Sequence, residues 1–251
     1  MLKNYPIPFF LVLLLALWIA EQVGVYWRRR RPLKAEERDD FNLIEGATLT
    51  LLGLIIGFSF SMAVSRYDQR KNYEEEEANA IGTEYVRADL LPAADAATVR
   101  SQLAKYVKLR IVFYQTRNAR VLRQVNSDTA RLQAQMWSAV EAPAAAHPSP
   151  LMALVVSGMN DVLNSQGYTQ AAWWNRIPRA AWVLMILIAI CANILAGYGL
   201  HTAGAEASFL FILPLIVSIS FLLIADIDSP RGGLIRLTAP NLISLSRSLS
   251  Q

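Results

Sequence analysis

Residues 43–92 read LIEGATLTLLGLIIGFSFSMAVSRYDQRKNYEEEEANAIGTEYVRADLLP, and this stretch decides the fold. Its first part, residues 43–65, carries one charge, Glu45. It is long enough to cross a membrane, since about 20 apolar residues in a helix span roughly 30 Å of hydrocarbon. Its second part is dense in charge. Neither Pro nor Gly interrupts residues 58–81, so one helix is expected to leave the apolar layer and continue into polar surroundings. Ala78, Ile81, Tyr85 and Ala88 form an apolar stripe at helical spacing. Gly82 weakens this helix and Pro92 ends it.

Three more apolar runs surround the decisive one. Residues 7–27 hold one charge, Glu21; with no small-residue cleavage site and an apolar part longer than a signal-peptide core, they read as a retained helix. Residues 180–200 and 207–225 form the third and fourth runs, and neither contains a charged residue. Composition agrees. The 251 residues are 54% hydrophobic and 18% charged, where soluble domains have about 45–50% and about 25%. A single cysteine, Cys191, excludes an intrachain disulfide framework and a Cys-based zinc site. His147 and His201 lack metal-motif spacing. The expected class is an all-α membrane protein. Residues 1–65 supply the first two spans, 66–179 a helical extramembrane insert, 180–225 two further spans, and 226–251 a polar C-terminal tail.

Within the insert, a second helix is expected to start near Ala94, with Val99, Leu103, Tyr106 and Phe113 on one face. Residues 142–150 contain three prolines and read as a linker. A third helix follows from Leu151 through Trp173 and Trp174 to Pro178, and these tryptophans beside Arg176 and Arg179 suit a headgroup region. Charge is segregated: residues 68–95 are rich in acids, and residues 100–131 carry bases with Asp128 the lone acid. Two solvated helices with complementary faces would explain this pattern. So would an electrostatic funnel or a surface lying on anionic lipid. No nucleic-acid motif accompanies the basic stretch, so nucleic acid is not an expected partner.

Orientation stays open on charge alone. Arg28, Arg29, Arg30, Arg31, Lys34 and Arg38 load the short loop between the first two spans, which slightly favours an external insert. The last two spans are joined by a tight Gly-containing turn at residues 201–206.

Catalytic signatures are absent: no nucleophile elbow, phosphate-cradling loop or HExxH is found, so no enzyme and no cofactor is expected. Glu74 and Glu77 fall on one side of a helix and could face a cation, although such acid runs are usually solvated. Asp226 and Asp228 precede Ser229 and Pro230 in a turn, where aspartates commonly cap backbone groups; they are the candidate metal ligands.

The string Gly57-Phe58-Ser59-Phe60-Ser61-Met62-Ala63-Val64-Ser65-Arg66-Tyr67-Asp68 resembles the second transmembrane helix of bestrophins, where a Gly-Phe pair precedes an Arg-aromatic pair. Residues 77–92, and Asp226-Ile227-Asp228-Ser229-Pro230 with Gly233-Leu234-Ile235-Arg236, resemble the bacterial bestrophin-like family more closely. The segment order is similar across nearly the whole chain. This resemblance implies a homo-oligomeric, pentameric channel for small ions in the bacterial inner membrane, with the insert and both termini cytoplasmic. The second span would line the pore. Carried over by the Gly-Phe register, the neck positions are Thr50, Leu54 and Phe58, and Arg66, Tyr67 and Asp68 are candidates for the pore mouth or a subunit interface. Thr50 departs from the apolar pattern of such necks. Ordinary helix packing on Gly46, Gly53 and Gly57 is the competing use of this span. A non-conducting scaffold or sensor whose insert binds a partner is the alternative function.

Overall fold

A computed structural model describes residues 6–199 and 209–250, and their regular structure is helical throughout. The turn expected at residues 201–206 lies outside the described residues. The helices are α1 (Pro6–Arg30), α2 (Arg38–Arg87), α3 (Ala93–Gln115), α4 (Ala119–Ala146), α5 (Pro150–Trp174), α6 (Arg179–Gly199), α7 (Phe209–Asp228) and α8 (Pro240–Ser248). Among the described residues, four helical stretches are long and apolar enough to cross a membrane. The chain divides into two compact units, one of residues 1–66 and 176–235, the other of 67–175 and 236–251.

α2 is 50 residues long, about 75 Å at 1.5 Å per residue. That far exceeds the roughly 30 Å of a hydrocarbon layer. The uninterrupted helix expected from the sequence is therefore present. In the first unit it buries Phe41, Leu52 and Ala63, spaced eleven residues apart. Eleven residues complete three turns with little drift, so these side chains lie along one line of the helix. Ser59 on this side donates to the sulfur of Met185 on α6 at 3.2 Å.

α1 and α6 cross at two glycines. A Cβ on Gly24 would sit 2.8 Å from the Tyr198 nitrogen and overlap the Ile194 carbonyl oxygen; one on Gly197 would overlap the Glu21 carbonyl oxygen. Such small residues let membrane helices approach backbone to backbone, which supplies packing where lipid offers no hydrophobic drive. Phe9 meets Trp182 edge-on at 5.5 Å, and Trp182 meets Phe221 at 6.3 Å, tying α1, α6 and α7 together.

The second unit is a helical bundle. Val99, Leu103, Tyr106 and Phe113, expected on one face of α3, are all buried, together with Ile81 of α2, Met136 and Val140 of α4 and Met159 of α5. At its centre Glu77 of α2 pairs with Arg110 of α3, both fully buried. Tyr114 and Thr169 also donate to Glu77, at 3.3 and 3.1 Å, and Phe113 lies 4.3 Å beneath the guanidinium. Burial works against the Arg110 charge, but Glu77 reverses this and holds it protonated more firmly than usual.

The structure corrects the sequence reading at three places. The linker expected over residues 142–150 shrinks to His147–Ser149: α4 runs to Ala146 with Pro143 inside it, and Pro143 is buried. Burial of the ring offsets the lost helix bond, and the Pro143 carbonyl still accepts the His147 N–H at 2.9 Å. The polar tail contains α8, whose Leu242 is fully buried. Third, the acidic run is only half solvated. Glu75 and Glu76 are exposed, whereas Glu74 and Glu77 are buried on the side expected from their spacing, with protein donors as partners.

Candidate pore-lining face

The face of α2 opposite its buried line is open. Helical residues advance about 100° each, so Leu43, Ala47, Thr50, Leu54, Ser61, Ser65 and Asp68 cluster about a second line, roughly opposite Leu52 and Ala63. None of these residues is a base, and each is exposed. Phe58 flanks Leu54 one turn on. Leu54 is 53% exposed and Phe58 65%. The three candidate neck positions thus share one face, and all three are exposed among the described residues.

Thr50 departs from the apolar pattern chemically, but its hydroxyl donates to the Gly46 carbonyl at 2.8 Å. The side chain therefore spends its proton on its own helix. Among the described residues nothing packs closely on Gly46, Gly53 or Gly57: a Cβ on any of them would meet no atom within 4 Å. Within one chain the close approach falls at Gly24 and Gly197 instead.

The outer surfaces of the membrane helices differ in chemistry. α1 exposes Leu11, Val12, Leu15 and Ile19, α6 exposes Val183, Leu184 and Leu187, and α7 exposes Ile212, Ile216 and Ile219. These are bulky apolar side chains suited to lipid. α2 also exposes bulky apolar side chains, Leu43, Ile44, Leu51, Phe60 and Met62 beside Leu54 and Phe58, but interleaves them with Asn42, Gly46, Thr50, Gly53, Gly57, Ser61 and Ser65. Small and hydroxyl-bearing surfaces in membrane helices suit other helices or water.

Arg66, Tyr67 and Asp68 do not act as one group. Successive helical residues point about 100° apart. Arg66 turns inward and pairs with Asp228 at 3.6 Å. Tyr67 is partly buried, its hydroxyl 3.5 Å from the Arg236 carbonyl. Asp68 alone is exposed on the face shared with Leu54.

Asp226 and Asp228 form a clasp at the end of α7. The two oxygens of Asp226 accept the N–H groups of Leu234 and Ile235, each at 2.7 Å. Asp228 accepts the Ile177 N–H at 3.0 Å as well as facing Arg66. A Cβ on Gly233 would stand 2.7 Å from the Asp226 carbonyl oxygen, which explains the glycine in this loop. Calcium requires six to eight oxygen ligands. These carboxylates are committed to amides and one faces a guanidinium, so the set does not fit that ion. Among the described residues, no group of three or more His, Cys, Asp or Glu could hold a metal.

Four apolar helical stretches, an unbroken helix shared by two units and an unpartnered small-residue face define an all-helical multi-pass membrane protein. A model of the bestrophin-like domain matches residues 15–241, and the chain belongs to the bestrophin-like family. Its fold is similar to crystal structures of a bacterial bestrophin homologue from Klebsiella pneumoniae. One substituted form superposes with a TM-score of 0.68 at 16% identity, covering 96% of this chain and 97% of that one. Another structure of the homologue, phased on zinc, gives 0.63 at 18% identity, covering 97% and 95%. No curated protein matches the chain.

Proposed function

We propose that the protein is a homo-oligomeric, pentameric ion channel with α2 nearest the axis. The observation that supports this is the exposed line of α2, whose chemistry is unlike the lipid-suited surfaces of α1, α6 and α7. Copies of Thr50, Leu54 and Phe58 would form successive rings. Converging Leu and Phe side chains exclude water from a narrow path and so close it to ions, while polar rings of Ser61, Ser65 and Asp68 beyond them keep the path wet. The membrane is the bacterial inner membrane, and the insert and termini are cytoplasmic. Lipid surrounds the ring and small ions pass through it. We assign no catalytic role.

A second reading rests on Gly46, Gly53 and Gly57. A stripe without side chains also suits tight packing between copies with no open path, giving a non-conducting scaffold or sensor whose insert binds a partner.

Currents in planar bilayers separate the two. Replacing Leu54 and Phe58 by Ala should raise conductance or spontaneous opening in a correctly sized oligomer. The lipid-side change Leu187→Ala should leave current as it was. Silence from both the native protein and the assembled double variant, across several salts, would favour the scaffold.

A further inference from the structure

The base-rich stretch of the insert is only partly matched by acids within the folded chain. Arg110 faces α2 and pairs with Glu77, and Arg100 pairs with Asp89. Residues advance about 100° each along a helix, so Lys105 and Lys108 stand on roughly the opposite side of α3 from Arg110. Both are exposed, and among the described residues neither pairs with an acid. The complementary helix faces read from the sequence therefore account for Arg100 and Arg110 but not for these two lysines.

The side of α3 that carries the lysines is one wall of a groove, and α4 is the other. The two helices are held together by buried side chains and by Gln133, which donates to the Tyr106 hydroxyl at 3.1 Å. The groove encloses about 430 Å³. Leu109, Val112 and Leu132 give it an apolar lining, and Lys105, Lys108 and Arg131 stand along it with Gln135. Asp128 is the acid in the lining. One of its oxygens accepts from Arg131 at 2.7 Å and the other from Gln124 at 3.1 Å, so it positions the arginine and leaves the lysines unmatched.

Sites for small molecules are concave, about 300–1,000 Å³ in volume, and mostly apolar with a few convergent polar groups. This groove has that size and that mixture. A simple inorganic anion would leave Leu109, Val112 and Leu132 bare, and a neutral apolar molecule would leave the bases unanswered. A molecule with an acidic group on an apolar body satisfies both, since lysine and arginine meet carboxylate or phosphate through charge-assisted hydrogen bonds. We propose that the groove between α3 and α4 binds a water-soluble amphipathic organic anion, its acidic group held by Lys105, Lys108 and Arg131 and its body lying on the apolar lining. Every residue involved belongs to the second unit, and the inference is independent of whether the protein conducts.

The test uses the whole chain in phosphatidylcholine nanodiscs, with 1-naphthyl phosphate as probe and equilibrium dialysis as readout, empty discs giving the background. An exposed charge pair contributes up to about fivefold in affinity. Lys105→Gln with Lys108→Gln should therefore weaken binding by about tenfold. Arginine at both positions should preserve it, which separates charge from folding. Arg120→Gln with Arg123→Gln, an equal loss of charge outside the groove, should bind like the native chain. The two halves of the probe, inorganic phosphate and 1-naphthol, should each bind at least about tenfold more weakly than the whole. Equal losses from both glutamine pairs would reduce the effect to net charge and overturn the proposal. So would inorganic phosphate binding as tightly as the probe, or a native chain that retains no more probe than empty discs. Displacement of the probe by phosphatidylglycerol in the discs would assign the groove to lipid headgroups and overturn it as well.

Discussion

The carboxylate of Glu74 on α2 accepts the backbone N–H of Leu242 on α8 at 2.9 Å, across 168 positions of sequence. Its other oxygen accepts the Asn241 side-chain amide at 2.7 Å. Ala239, the residue at the cap position of α8, has no side chain able to do this, and Pro240 lacks an N–H. Burial raises the Glu74 pKa, while the donors from Leu242 and Asn241 oppose that rise.

Removing this remote cap should release α8. A lost cap costs about 0.5–2 kcal/mol, so Glu74→Ala should speed hydrogen exchange across residues 240–248 severalfold while α4 and α5 keep their protection. Unchanged exchange in α8 would mean that Leu242 burial alone holds the helix.

The Glu77–Arg110 pair should behave as a unit. Truncating one member of a buried pair leaves an uncompensated charge and costs about 3–5 kcal/mol. Arg110→Met and Glu77→Met should each lower the unfolding midpoint followed by tryptophan fluorescence. The double change should lower it less than the two single changes summed. Additive losses would show that the two residues act separately.

Glu84 makes stability depend on pH. It is fully buried, its carboxylate finds no hydrogen-bond partner among the described residues, and a Cβ on Gly158 of α5 would overlap it. Burial pushes its pKa up to about 8; Arg87 opposes the shift and Asp161 adds to it. The folded state therefore holds a proton that the unfolded chain, with an ordinary carboxylate, gives up near pH 4.5. Its contribution is fully present below that value and is lost as pH rises through about 8. Thermal unfolding of the native protein should fall over this window, and Glu84→Gln should flatten the fall. Parallel profiles for the two proteins would refute the assignment.

Orientation is open to direct labelling. Ala145 is exposed near the end of α4. With Cys191 replaced by Ala, a cysteine at Ala145 should resist a membrane-impermeant thiol reagent in intact cells and react after lysis. Labelling in intact cells, with a cytoplasmic control protected, would place the insert outside.

Local signals account for what the sequence made legible. The apolar runs, the unbroken course of α2 and the buried face Val99, Leu103, Tyr106 and Phe113 all follow from residue types a few positions apart. α8 was hidden because its cap comes from Glu74, far away in sequence. The break between α3 and α4 carries neither Pro nor Gly, and only Asn118 marks it. Pro143 misled because its burial outweighs the usual helix-breaking effect. At the candidate pore, the common face of Thr50, Leu54 and Phe58 was readable from their spacing of four. The same angular argument also separates Arg66, Tyr67 and Asp68, which adjacency had grouped together.

The boundary between the two units at Arg66 and Tyr67 falls in the middle of α2 rather than in a linker. The chain also crosses between them at Asn175 and Arg176, and again at Ile235 and Arg236. The insert is thus not a module strung on a loop. Excised as residues 67–175, it would lose α8 and leave the Glu74 carboxylate without the amide it serves. A gene exchange that replaced only the central segment would put a foreign residue opposite Leu242 and Asn241, so the two distant stretches have to stay matched to one another.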